Sequence, residues 1–433
     1  MQLREQTFDS RRDCLDIAST WTSQFSWREI LAHHLADIAI GDQCDVVAIG
    51  KSGREMADAA VDVLGAQVTR RIVVTDRDSV LRHGPHAEVV IGDHPIASDA
   101  SVRAAKDVVD FLDAPSKATL TIFLVSGGAS SLCCLPQPPV DLSDLRTVWS
   151  AALVAGLDIT GLNKIRAATS MISGGRILRH VKTTRSIALI EVDNVISGAQ
   201  WVASGLTYEF APEPKDITTL WASLQLDRAC IQRLTAATKA RDTAMSDEAR
   251  VKHRNIVVLE PRSMLTAAMT TAQELGYHVV SLGESVSDDV QFCARRFVDA
   301  LLAGPERAEP RCVIAVGEVS VSLHGNGRGG RCSEFAWHVA RELESAARFG
   351  TAVGFASDGR DHVRGAGGAI SDQTTFARAR KLGLSCEEVT AHNDTTSAFE
   401  ILGDIIPGSH TGWNLCDVYV LCEVLGARGV PTK

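Results

Sequence analysis

The chain has 433 residues, 45% of them hydrophobic and 22% charged, proportions of a soluble globular protein long enough for two domains. Its net charge of −9 argues against general binding to nucleic acid or an anionic membrane, so any positive patch must be local. No apolar run reaches membrane-spanning length, and the start Met-Gln-Leu-Arg-Glu-Gln-Thr lacks a signal-peptide core. Eleven scattered cysteines without a Cys-x-x-Cys pair read as reduced core thiols of a cytoplasmic protein.

Apolar β-rich runs alternate with helical patterns almost throughout. Asp45–Gly50 reads as a buried strand, followed by a helix from about Ser52 to Leu64 and a second strand at Arg71–Thr75. Thr119–Val125 and Ser186–Glu191 are further strands of buried type. From Thr207 to about Val251 the pattern changes to polar helices, with Ala211-Pro-Glu-Pro-Lys215 as a boundary signal. A second series follows: Asn255–Leu259, a helix through Leu275, His278–Leu282, Cys312–Val316, a helix from Ser333, Thr351–Ala356 and a closing strand at Val418–Cys422. Such alternation predicts parallel α/β layers in two domains, with a cleft between them.

Ligands of open α/β sheets bind at the carboxyl ends of strands, and the loops with chemical character sit at such ends. After Cys312–Glu318 comes Gly325-Asn-Gly-Arg-Gly-Gly-Arg331, four glycines and two arginines ahead of a helix. Glycines admit close approach of an anion, the helix start offers N–H groups, and Arg328 and Arg331 add fixed charge for phosphate oxygens. A tight turn with solvated arginines is the plainer reading of the same residues. Lys51, between a strand and a helix start where the macrodipole disfavours a cation, can place charge on a phosphate. Ser126-Gly-Gly-Ala-Ser-Ser131 is a second anion loop, though a helix cap reads almost as well. His94, beside Pro95, is either a proton carrier or structural. Asp358 and Asp361 end a strand and can hold a cation or accept a proton.

This set describes phosphoryl transfer better than acyl or glycosyl transfer. The Gly-x-Ser-x-Gly and P-loop patterns are both absent. An NAD(P)-dependent reductase is the alternative, because Gly325, Gly327 and Gly330 satisfy Gly-x-Gly-x-x-Gly and Asp358 ends the next strand. Arginines inside the turn and an idle Lys51 count against it. A catalytically inactive ligand-binding homologue is a third reading.

Taken in order, the motifs resemble the bacterial-type, MOFRL-containing glycerate 2-kinase family from about Val47 to Asp417. The resemblance rests on Gly50-Lys51, Gly92-Asp-His-Pro95, Ser126-Gly-Gly128, Leu162-Asn-Lys-Ile-Arg166, Gly174-Gly-Arg176 and Ala203-Ser-Gly205. It continues through Gly317-Glu318, Gly325–Arg331 with Glu334, Asp358-Gly359, Asn393-Asp394 and Thr411-Gly412 with Asn414 and Asp417.

Membership implies a Rossmann-like domain over 1–250, ending in a helical linker at about 211–250. A second α/β domain over 251–433 would contain the MOFRL-type region at about 310–425. It further implies ATP with a divalent cation, expected to be Mg²⁺, and a small hydroxy-acid substrate phosphorylated in the interdomain cleft; a monomer or homodimer is expected. Lys51 and Arg331 fall on the family's lysine and arginine that act on the transferring phosphoryl group; Asp193 is a further catalytic candidate, and Asp193 and Asp358 are the carboxylates expected near the metal. Ser126, Gly127, Gly128, Ser130, Gly325, Asn326, Gly327, Arg328, Gly330, Glu334 and Asp358 are implied to bind nucleotide or phosphate. Ser52, His94, Arg166, Asp361, Trp413 and Asn414 are implied to bind substrate. Departures from the family pattern at Val192–Ser197, Ser173, Ser287–Asp289, His362 and Trp413 imply an acceptor other than simple glycerate, with Trp413 lining a wider pocket.

Overall fold

The computed structural model describes residues 9–36, 41–76, 87–157, 159–193, 198–210, 214–242, 252–303 and 309–424. The chain divides into two compact units, Ser26–Leu259 and the combined segments Met1–Phe25 and Glu260–Lys433.

The first unit is built on a wholly parallel sheet of β1 (Cys44–Ile49), β2 (Val68–Thr75), β3 (Ala87–Ile91), β4 (Leu120–Val125), β5 (Arg185–Glu191) and β6 (Lys252–Leu259). Every residue of β1 and β4 is buried, which explains why their sequences are apolar runs rather than alternating ones. The spatial order β3-β2-β1-β4-β5-β6 is that of doubly wound nucleotide-binding folds, and it reverses between β1 and β4. The helix Gly53–Leu64 starts directly after β1 and buries Met56, Ala57, Ala60 and Leu64, a stripe at helical spacing.

Two sequence expectations shift here. The run at 255–259 does not open the second domain: β6 pairs in parallel with β5, so the boundary lies at 259/260 instead of 250/251. The helices Pro214–Ser223 and Arg228–Asp242 are not a linker. Ile217, Trp221 and Leu234 join Val148 and Ile165 in a core of their own, and burial of that kind marks a domain component.

The second unit carries β7 (His278–Val286), β8 (Arg311–Gly317), β9 (Gly350–Ala356), β10 (Ala366–Asp372), β11 (Ile405–Pro407) and β12 (Asp417–Glu423) in the order β11-β10-β9-β12-β8-β7. The expected all-parallel layer holds only for β7 with β8; the remaining pairings are antiparallel. Residues 357–365, which join β9 to β10, are too few for a crossover and force reversal. The helix Arg331–Ser345 sets Phe335 between Phe297 and Tyr419, at centroid distances of 4.8 and 4.7 Å. The N-terminal helix Ser10–Ser19 packs on β9 and β12, where the Cys14 thiol donates to the Thr351 carbonyl at 3.0 Å. Its place in the second unit was not foreseen. Among the described residues no helix is long and apolar enough to cross a membrane.

Candidate active site

In the first unit the candidate residues gather where the strand order reverses, at the carboxyl ends of β1 and β4. Gly50 has φ +135°, and a Cβ there would overlap the Ser126 hydroxyl, so only glycine lets these two turns touch. The Lys51 amide donates to the Gly127 carbonyl at 3.0 Å, and the Ser52 amide donates to Ser126 Oγ at 3.0 Å. Lys51 and His94 converge on Gly128, where a Cβ would meet Lys51 Cγ at 3.1 Å and His94 Cδ2 at 3.2 Å. The buried Ser52 hydroxyl has no hydrogen-bond partner among the described residues. It is therefore available to a phosphate oxygen.

Ser130 Oγ lies 2.7 Å from Ser204 Oγ, which donates to Asn163 Oδ1 at 3.0 Å. Sequence reasoning gave Asn163 and Ser204 no task. Their signal was motif proximity alone, Asn163 standing three residues before Arg166. That arginine lies over the Trp149 ring, 5.4 Å from its centroid, and its buried Nε has no partner among the described residues. Burial pushes its guanidinium below the ordinary arginine range. Asp193 follows β5, at the carboxyl edge of the same sheet. Of the altered segment 192–197, the part from Asn194 to Ser197 lies outside the described residues.

The second unit corrects the reading of the arginine loop. The amides of Gly327, Arg328 and Gly330 already donate to His392 O, Asp394 Oδ1 and Ser333 Oγ. Added Cβ atoms at Gly325, Gly327 and Gly329 would crowd residues 392–394, so these glycines serve packing between two turns. Nor is the following helix start open to an anion. Asp361 fills it, accepting from the Cys332 and Ser333 amides at 2.9 and 2.8 Å. Burial pushes the Asp361 carboxyl up to about 6. Its carboxylate is thus occupied as a helix cap.

Other candidates also have structural tasks. Arg328 makes a two-pronged pair with Glu400 at 2.7 and 2.9 Å, and Asn326 is exposed. Glu334 is buried beside His338 and accepts from the Thr395 hydroxyl at 3.2 Å. Trp413 is buried edge-on against Phe25 with centroids 5.8 Å apart, so its ring belongs to the core and not to a wider pocket. Asn414 is likewise buried. Arg331 stands apart from this group. Its Nε donates to Asp417 Oδ2 and its Nη2 pairs with Glu318 Oε1, both at 2.8 Å. Asp358, whose Oδ1 accepts from the Arg360 amide at 2.9 Å, adds negative charge near Asp417.

A family model described as a domain of unknown function, DUF4147, matches residues 14–239, more than half of the chain, and the MOFRL family model matches 311–417. The chain belongs to the MOFRL-containing glycerate kinase family.

This glycerate kinase-family chain is 27% identical to a protein of Pyrococcus horikoshii named glycerate 2-kinase, over 89% of this chain and 88% of that one. A relative in Agrobacterium vitis, 28% identical over 87% of this chain and 86% of its own, carries a provisional hydroxypyruvate reductase name. The crystal structure of a glycerate kinase from Thermotoga maritima superposes with a TM-score of 0.81 at 23% identity, covering 96% of this chain and 99% of that one. That likeness establishes the two-domain α/β fold.

Proposed function

We propose that this protein is an ATP-dependent kinase that phosphorylates a hydroxyl of a small hydroxy acid, glycerate or a close relative of it. The observation that carries the reading is the likeness, along nearly the whole chain, to a protein named glycerate 2-kinase. The reaction joins the acceptor oxygen to the γ-phosphorus, breaks the bond to the bridging oxygen and releases ADP and a proton. Fixed positive charge is what such a transition state needs, and Lys51 and Arg331 are the cations we assign to it.

The described residues hold no group of three metal-ligating side chains. Magnesium fits such a chain, because it is commonly held by one or two carboxylates with phosphate oxygens and water; Asp193 and Asp358 are the carboxylates assigned to it. Burial of Trp413 against Phe25 speaks against its widening a pocket, and glycerate is the first acceptor to try. The experiment is a screen of hydroxy acids with ATP, in Mg²⁺ and in EDTA, reading ADP, beside NADH consumption with hydroxypyruvate. ADP release that requires both acid and metal is expected. NADH oxidation without ADP release would make the chain a reductase.

The half-buried Arg166, for which no acidic partner stands among the described residues, is the group we assign to the acceptor carboxylate. Replacing it by methionine keeps the bulk over Trp149 and removes the charge. KM for the acid should rise ~10-fold or more with kcat changed much less, the pattern of lost ground-state binding. An unchanged KM would take Arg166 out of the acceptor site.

A further inference from the structure

Building on the kinase reading, we infer that Asp417 is the positioning residue of Arg331, and that Tyr419 in turn fixes Asp417. The Arg331 guanidinium is held along one edge: Nε donates to Asp417 Oδ2 at 2.8 Å, and Nη2 reaches Glu318 Oε1 at 2.8 Å and Asp417 Oδ1 at 3.4 Å. Asp417 opens β12 between two paired strands, opposite Gly317 of β8 and Ala356 of β9, so its backbone cannot drift. The Tyr419 hydroxyl donates to Asp417 Oδ2 at 3.0 Å and accepts from the Val319 amide at 3.2 Å. A backbone N–H thus anchors the phenol, the phenol aims the carboxylate, and the carboxylate aims the arginine.

The exposures argue for positioning over plain stability. The Arg331 side chain is 41% exposed while that of Asp417 is 4% exposed. Burying a carboxylate is costly, and a half-exposed partner returns little of that cost. A long flexible side chain held in advance, by contrast, need not be ordered when the reaction occurs. Burial pushes the Asp417 carboxyl up to about 6 against the pull of Arg331. The groups facing it are Arg331, Glu318, Asp358, Asp361, Cys332 and Tyr419.

The test compares wild type, Asp417→Asn, Arg331→Ala, the double variant and Tyr419→Phe by steady-state kinetics with ATP and D-glycerate, with binding of a fluorescent ATP analogue and thermal unfolding read on the same samples. Asp417→Asn should lower kcat ~10-fold or more while leaving acceptor KM within about threefold. Added to Arg331→Ala it should cost nothing further, since a residue acting through another is silent once that one is gone. Tyr419→Phe, which removes one hydroxyl, should lower kcat several-fold in the wild-type background only. Losses that multiply in the double variant, or a wild-type kcat in Asp417→Asn, overturn the assignment. A wild type that turns over no acid but shows the same non-additive pattern in nucleotide affinity would sink the kinase reading and leave the positioning standing. A wild type with neither turnover nor nucleotide binding would sink both.

Discussion

Alanine at position 51 should lower kcat by ~10²-fold or more, the usual cost of losing one preorganised charge at a phosphoryl or oxyanion site. The backbone at Lys51 is held by the Gly127 carbonyl and by the close approach of Gly50 to Ser126, neither of which needs the ammonium group. The variant should therefore still fold, which thermal unfolding on the same sample checks. Its deficit should appear in kcat, because the charge is wanted most where equatorial oxygens gain it. Arginine at this position should recover part of the rate, since it returns charge with a different reach. Steady-state rates at saturating ATP check this, and turnover within threefold of wild type would remove Lys51 from the mechanism.

The second large effect is on stability. Gly330 has an extended backbone that any residue can adopt, yet a Cβ there would overlap the Asp361 side chain and its carbonyl oxygen. Asp361 is buried and holds the first amides of the helix Arg331–Ser345. Displacing it leaves two helix amides and a carboxylate unpaired inside the protein, so Gly330→Ala should cost about 3 kcal/mol or more. Urea unfolding of wild type and variant measures it. The kcat should drop as well, because Arg331 is the next residue. An unchanged midpoint would mean that residues 358–364 can move aside at little cost.

Much of the first unit was legible in its sequence, because strands buried on both faces are written as unbroken apolar runs and the reactive loops follow them directly. Lys51, Ser126 and Gly128 were found that way, and they do meet. What escaped was pairing and partnership. The run 255–259 looks the same whichever sheet it joins, and β10, with two glycines in Ala366–Asp372, lacks the β-branched signal of a strand. Asp361 and Arg328 have the composition of ligand-binding residues. Their real partners, two amides and Glu400, are remote in sequence. Asp417 and Tyr419 did leave a trace: two residues apart on one strand, they share a face. Nothing in the chain said that Arg331 would lie beneath that face.

All eleven cysteines are free and buried. Burial also holds the thiols of Cys133, Cys134, Cys293 and Cys332 well above the ordinary range, so little reactive thiolate forms. The native protein should accordingly react slowly with thiol reagents, and each cysteine becomes a clock for the opening of its own neighbourhood. Cys14 lies between the N-terminal helix and the carbonyls of Thr351 and Val420, so its labelling times the release of that helix. Cys312 and Cys422, 3.5 Å apart in the middle of the second sheet, time the loss of the sheet itself.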